Sequence, residues 1–279
     1  MTNEQAKTAL ITGASGGLGL ELCHCFAQDG INLVMVARDD IELNNVAKRI
    51  EKKHGINITI IACDLTKPNA VDTVFNQVNA QGIHIDYLVN NAGIGLHDAF
   101  AQSNSEDDQR MLQLNVAVLT ELSQRFMPAM LQRNDGRILN VASLVAYQPG
   151  GAQAALYYAS KNFVLSFSRG LANELRDSDV SVTALCPGPM HTNFQAHNNF
   201  SHTRLYRLFN NNLHKTARAG YKAMQKGKMT IVPGLINKLL AFSGELPPRR
   251  IALEINRWLL VTSNKAPVPV KVHNREVEQ

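Results

Sequence analysis

Six short runs rich in apolar and β-branched residues recur along the first two thirds of the chain, at Thr8 to Ile11, Ile31 to Val36, Ile56 to Ala62, Tyr87 to Asn90, Arg137 to Ala142 and Val180 to Leu185. Helical patterns separate them at Leu18 to Gln28, Asp40 to Lys53, Asn69 to Ala80, Glu106 to Gln132 and Leu156 to Arg176. A parallel neighbour needs a crossover, and crossovers are right-handed, so this alternation implies a parallel sheet with helices on both faces. The expected fold is α/β, a Rossmann-like doubly wound parallel sheet of about seven strands. Met229 to Val232 supplies the last strand, and Pro248 to Leu260 reads as a C-terminal helix.

With 279 residues, 45% of them hydrophobic and 18% charged, the chain fits one domain. Residues 7–190 read as a cofactor and catalytic core, 190–228 as a substrate loop, and 229–279 as the last strand with a C-terminal extension. Met190 to Ala217 is rich in Asn and His, follows the Pro187-Gly188-Pro189 turn and shows little period. It is expected to lie over the carboxyl ends of the strands, where ligands bind in such sheets. The polar start and the short first apolar run do not resemble a signal peptide, and no stretch reaches the ~18 apolar residues of a membrane span, so a cytoplasmic location is expected. Cys23, Cys25, Cys63 and Cys186 lack metal-ligand spacing and read as free thiols; no metal is expected.

The net charge of +5 hides an asymmetry: −5 over residues 1–190 and +10 over 191–279. A basic last third can meet an anionic substrate, a membrane surface or nucleic acid, or can serve as a solvated face. No nucleic-acid reader motif accompanies it, so nucleic acid is not an expected partner.

The first strand runs into Thr12-Gly13-Ala14-Ser15-Gly16-Gly17-Leu18-Gly19 and then a helix. A side chain at the glycines would keep the backbone from a pyrophosphate, and the helix start offers free N–H groups to an anion. The spacing, with Gly13, Gly17 and Gly19, is Gly-x3-Gly-x-Gly rather than the commoner GxGxxG. Arg38, at the end of the second strand, suits a ribose 2′-phosphate, with Ser15 as a second donor, so NADP(H) is expected over NAD(H). Asp39 and Asp40 complicate this, since either could bond a ribose. Asp64 and Leu65 close the third strand, and Asn91, Ala92 and Gly93 close the fourth, where adenine and nicotinamide ribose would lie. Asp64 could instead cap a helix, and Asn91 could bridge strands.

Ser143 follows the fifth strand, and Tyr157 and Lys161 open a long helix. Residues four apart share a helix face, so phenol and ammonium can converge on one cavity. A cation and an oxidised nicotinamide nearby would favour the phenolate. Tyr157 can then pass a proton to or from the substrate oxygen while Ser143 holds that oxygen by a hydrogen bond. Lys161 would also bind the nicotinamide ribose, and Tyr158 is the rival for the proton-transfer role.

Taken together, Gly13, Gly17, Gly19, Asp64, Asn90 to Gly93, Asn115, Ser143, Tyr157, Lys161, Pro187, Gly188 and Thr192 resemble the single-domain short-chain dehydrogenase/reductase family over residues 7 to 192. The resemblance implies that Asn115, within a helix, carries a water-linked proton relay to Lys161, and that Thr192 touches the nicotinamide carboxamide. It also implies pairing through the two long helices, giving a homodimer or homotetramer. One departure stands out: the chain is one residue longer than the family between Ser143 and Tyr157, with Gly150-Gly151 as the expected place.

For substrate, the tail resembles general short-chain and long-chain 3-oxoacyl reductases. Phe194, Phe200, Leu205, Tyr206 and Leu208 interleaved with His202, Arg204 and Arg207 suit an apolar substrate with an acidic group. A steroid, sugar or diketone reductase, and an NADPH-binding sensor or scaffold without turnover, are the alternatives. In the C-terminal helix Ile251, Ile255, Trp258 and Leu259 form one stripe and Arg250, Glu254 and Arg257 another. That helix is expected to pack on the chain's own body or a second subunit rather than on a membrane, because Glu254 interrupts the basic face.

Overall fold

The structure, a computed structural model, describes residues 6–190, 203–205, 209, 211–245 and 248–260. Strands β1 (Thr8–Thr12), β2 (Asn32–Ala37), β3 (Ile58–Ala62), β4 (Tyr87–Asn90), β5 (Gly136–Val141), β6 (Val180–Leu185) and β7 (Thr230–Ile231) form one parallel sheet in the order β3-β2-β1-β4-β5-β6-β7. The winding reverses between β1 and β4, so a crevice opens at the carboxyl ends of those two strands. The helices are α1 (Gly17–Gln28), α2 (Asp40–His54), α3 (Ala70–Ala80), α4 (Ser105–Leu112), α5 (Leu119–Arg133), α6 (Ala155–Glu174), α7 (Leu213–Gln225), α8 (Leu235–Glu245) and α9 (Arg249–Leu260).

Both faces of the sheet are buried, which is why its strands are apolar almost throughout. Ala9, Ile11, Leu33 and Met35 point to one side, against α1, α2 and α7; Leu10, Val34 and Val36 point to the other, against α3 and α5. Phe26 on α1 anchors the first layer, with ring centroids 5.4 Å from Tyr87 and 4.8 Å from Tyr221. Local signals set the element ends. Asp39 accepts a hydrogen bond from the Glu42 N–H at 3.0 Å to start α2, and Gly55, at φ 68°, ends it beside Lys52, Lys53 and His54.

Three features depart from the sequence expectation. The single helix expected from Glu106 to Gln132 is broken by a π-helical turn, Gln113–Val118, between α4 and α5. Helix α7 occupies the end of the segment expected to be a substrate loop. It is a core element, since Ala217, Tyr221 and Met224, at helical spacing, pack on α1 and the sheet. Helix α8 was not foreseen because its large apolar residues point outward, so its pattern does not read as a stripe facing the core.

Candidate active site

A cleft of about 1080 Å³ runs along the carboxyl ends of the strands from the β2 end, past β1 and β4, to α8 and α9. At one end lies the glycine turn. Gly13 and Gly17 have φ of 65° and 54°, in the left-handed region, and α1 begins without a side-chain cap. Its first N–H groups therefore face the cleft unmatched by a side chain, as a bound anion requires. Asn91 braces this turn: its amide donates to the Thr12 carbonyl at 2.8 Å and the Gly13 carbonyl at 3.3 Å. Thr12 Oγ1 in turn accepts from the N–H groups of Asn91 and Ala92, both at 3.0 Å. The bridging reading of Asn91 thus holds, and the residue still lines the cleft beside Ala92 and Gly93.

At the β2 end the carboxylates that competed with Arg38 are engaged elsewhere. Asp39 caps α2, and Asp40 accepts from the Asn44 amide at 2.9 Å. The Arg38 guanidinium, exposed and lining the cleft as Ser15 does, is left as a group that could hold a phosphate. Asp64 does not cap α3. Its carboxylate accepts from the Thr66 hydroxyl at 2.8 Å and the Thr66 N–H at 3.0 Å. Burial opposes that charge, but the Thr66 hydrogen bonds and the cations Arg38 and Lys67 outweigh it and hold the carboxyl below its usual range.

Ser143, Tyr157 and Lys161 line the cleft further along, all with under a tenth of their surface exposed. Ser143, at the end of β5, hydrogen-bonds the Tyr157 phenol and accepts from the Val145 N–H at 3.3 Å. In the loop 148–154 between Ser143 and Tyr157, Gln153 takes φ 61°, and the two hydroxyls meet. Tyr158 packs edge-on against Tyr157, with centroids 6.5 Å apart, and presses on Gly151. Burial pushes the Tyr157 phenol up to about 12, partly offset by Ser143. Burial also pushes the Lys161 ammonium down to about 8, while its Nζ donates to the Val141 carbonyl at 3.1 Å. In the chain alone desolvation dominates and the phenol keeps its proton; the phenolate expected from the sequence depends on the oxidised nicotinamide as well.

Asn115 is buried within the π turn. Its amide donates to the Ile94 carbonyl at 2.8 Å and to Ser160 Oγ at 3.2 Å, and its carbonyl accepts from the Ile94 N–H at 3.0 Å. A π turn inserts one residue into the helical ladder and often sits at a site of function. A Cβ on Gly93 would come within 3.0 Å of Asn115 Oδ1 and 3.3 Å of Lys161 Nζ. That glycine keeps open a space where a ribose could lie beside both groups, so the residues present fit a nicotinamide dinucleotide.

Pro187 and Gly188 complete the wall. Two residues the sequence reading passed over hold that turn: Asn211 donates to the Pro189 carbonyl at 3.0 Å, and Asn237 donates to Asn211 Oδ1 at 2.8 Å. Only their position, far downstream in sequence, hid them. Thr192, Phe194, Phe200, His202, Tyr206, Arg207 and Leu208 lie outside the described residues.

Comparisons with known proteins agree with this geometry. The family described as short chain dehydrogenase matches residues 7–202. A fatty acyl-CoA reductase from Acinetobacter baylyi is 35% identical over 66% of this chain and 62% of its own length. The 3-oxoacyl-[acyl-carrier-protein] reductase of Escherichia coli is 30% identical over 68% of this chain and 76% of its own. A Sphingobium yanoikuyae short-chain dehydrogenase, solved in complex with NADPH, superposes with a TM-score of 0.77 at 28% identity, covering 94% of this chain and 98% of that one. The chain belongs to the short-chain dehydrogenase family. It is an oxidoreductase of the kind that acts on alcohol and carbonyl groups, on a Rossmann-like sheet.

Proposed function

We propose that this dehydrogenase is an NADP(H)-dependent carbonyl reductase for apolar, chain-bearing substrates, with 3-oxoacyl thioesters as the first class to test. The observation that carries the substrate reading is the cleft itself. Beyond Ser143 and Tyr157 it continues along Val145, Leu205, Leu240, Ile251, Ile255 and Leu259, an apolar trough with room for coenzyme and acyl chain together. The printed activities of the Acinetobacter and Escherichia relatives support it. Of His202, Arg204 and Arg207, the basic residues expected to suit an acidic group, Arg204 is engaged: it donates to the Trp258 carbonyl at 3.0 Å and stacks on its ring at 4.8 Å. Arg110, on the rim of the trough, is a further candidate.

In this reading the glycine turn and the α1 N-terminus hold the pyrophosphate, with Leu18 and Gly19 in that first turn. Arg38 and Ser15 hold the 2′-phosphate, Asp64 and Leu65 flank the adenine, and Asn91 to Gly93, Lys161, Pro187 and Gly188 surround the nicotinamide ribose. When bound, NADPH supplies the hydride that adds to the carbonyl carbon. Ser143 donates a hydrogen bond to the carbonyl oxygen, and Tyr157 gives up its phenolic proton as negative charge builds there. A phenol raised to about 12 stays protonated in neutral water yet surrenders its proton to an alkoxide, so the chain is set for reduction. The Lys161 cation stabilises the phenolate left behind, and Asn115, tied to Ser160 and the Ile94 backbone, keeps a polar path beside Lys161.

The proposal includes a homodimer through α5 and α6, whose outward faces carry the half-exposed Leu131 and the Phe163–Phe167 stack.

A spectrophotometric screen of NADPH oxidation over 3-oxoacyl thioesters tests the substrate reading. We expect kcat/KM to rise about fourfold per added methylene until the trough is full; no dependence on length, or preference for a short polyol ketone, overturns it. The coenzyme reading has its own check. Arg38→Ala should raise KM for NADPH about 10- to 100-fold, the value of a charge-assisted phosphate contact, and leave KM for NADH within about twofold. Equal losses with both coenzymes would refute the 2′-phosphate assignment.

A further inference from the structure

Helix α8 is amphipathic the wrong way round for a core helix. Leu235, Ile236, Leu239 and Phe242 form one stripe, each 60–75% exposed, while Asn237, Ala241 and Gly244 face inward. Its rotation is fixed. A Cβ on Gly244 would sit 2.4 Å from the Tyr147 carbonyl oxygen, and Asn237 is tied to Asn211 and Pro233. Helix α9 packs beside it, held by Asn256, which donates to Gln148 Oε1 at 3.2 Å and to the Gly150 carbonyl at 3.0 Å. That anchoring buries Leu259 and Leu260 but leaves Ile251, Ile255 and Trp258 51–58% exposed. Packing on the chain's own body thus accounts for only one side of α9.

With Leu253, eight large apolar side chains are therefore exposed on two adjacent helices, more than the scattered singles of an ordinary surface. Three further observations bear on what covers them. The same two helices carry Lys238, Arg249, Arg250 and Arg257 against Glu245 and Glu254, and both acids are already paired, with Arg169 and Arg257. Lys238, Arg249 and Arg250 have no acidic partner among the described residues. Finally, Ile251 and Ile255 belong both to this face and to the wall of the cleft, so the substrate trough opens onto it.

We propose that α8 and α9 form a peripheral docking face for an anionic lipid surface, with the trough mouth turned toward the lipid. The apolar stripes enter the headgroup and acyl boundary, and the unpaired cations meet the lipid phosphates. The contact is interfacial, because among the described residues no helix is long and apolar enough to cross a membrane. A second copy fits less well: a two-fold contact would put both copies' unpaired cations into one interface, whose acids Glu245 and Glu254 are already paired. Delivery of an apolar substrate from that surface rests on the reductase reading; docking does not.

Trp258 is the only tryptophan of the chain and sits on the face, so its emission reports insertion directly. With the full chain and vesicles of phosphatidylcholine containing about a third phosphatidylglycerol, we expect flotation with the vesicles, a blue shift of Trp258 emission, and quenching by brominated acyl chains. Binding should weaken in high salt, as screening shortens the reach of the cations. Leu239→Glu with Phe242→Glu should weaken vesicle binding at least about tenfold. Neither residue lines the cleft, so reduction of a water-soluble ketone should be unchanged. Absence of flotation and quenching with the wild-type chain at every vesicle concentration overturns the proposal without touching the reductase reading. So does self-association without vesicles that the double variant abolishes, which assigns the face to a second copy.

Discussion

Tyr157→Phe should lower turnover about a thousandfold, the usual worth of a positioned proton donor, while NADPH binding stays within a few-fold of wild type. The ring is retained, so its edge contact with Tyr158 survives, while the phenol's bond to Ser143 is lost. Folding should therefore change by about 1 kcal/mol or less, and the defect is one of chemistry. Tyr158→Phe is the control: Tyr158 is buried beside Tyr157, but it is Tyr157 whose phenol bonds Ser143. Steady-state rates with equilibrium coenzyme titration decide it. Full activity in the Tyr157 variant, with loss in the Tyr158 variant, would move the role one residue along.

The pH profile of the wild-type chain gives the same assignment a second reading. Burial raises the Tyr157 phenol to about 12, so below that value its deprotonated fraction grows about tenfold per pH unit. Alcohol oxidation, which needs the phenolate as base, should therefore rise with pH from 6, levelling off only where the oxidised nicotinamide and Lys161 bring the phenol's own value into range. Carbonyl reduction uses the protonated phenol and should be flat over that range. Lys161, lowered by burial to about 8, loses its charge above that value, and reduction should then decline. A reduction rate that rises with pH from 6 to 8 would contradict this.

The residues that met the sequence expectation are those whose signal is local. Apolar runs fixed the strands to within a residue or two, because a strand buried on both faces has nowhere to place polar side chains. Glycines at fixed offsets marked the turn, and a four-residue spacing marked the pair of Tyr157 and Lys161. What escaped was non-local or set by tertiary balance. The π turn around Asn115 has no pattern of its own; its geometry is held by Ile94 and Ser160, residues from other elements. The bracing pair Asn211 and Asn237 acts across the fold on a turn more than 20 residues away. The buried ladder in which Asn90 donates to Ser123 and Asn140, and Asn140 to Ser168, could be read only after the strands were paired. The burial that holds the Tyr157 proton in the chain alone was not legible either, because spacing reports which charges can meet, whereas desolvation depends on everything packed around them.

Gly19→Ala should be the most damaging single methyl group in the chain. An added Cβ would stand 2.1 Å from the Gly13 carbonyl oxygen and 2.6 Å from the Asn91 amide nitrogen. The first obstacle is backbone and the second is the strut that ties the turn to β1, so neither can swing aside as a flexible side-chain tip could. Relief requires α1 to back away from the turn, which spreads the N–H groups and costs packing of Leu22 and Phe26 against the sheet. We expect a loss of about 2–3 kcal/mol in stability, a fall of about 5–10 °C in Tm, and NADPH binding weakened at least about a hundredfold. Gly16→Ala separates the two effects, because a Cβ there meets nothing within 4 Å and the residue, at φ −167°, already has an extended backbone. Its Tm should match wild type, and any change in coenzyme affinity would reflect direct contact alone. A Gly19 variant that melts and binds NADPH like wild type would mean that the turn is not the pyrophosphate seat.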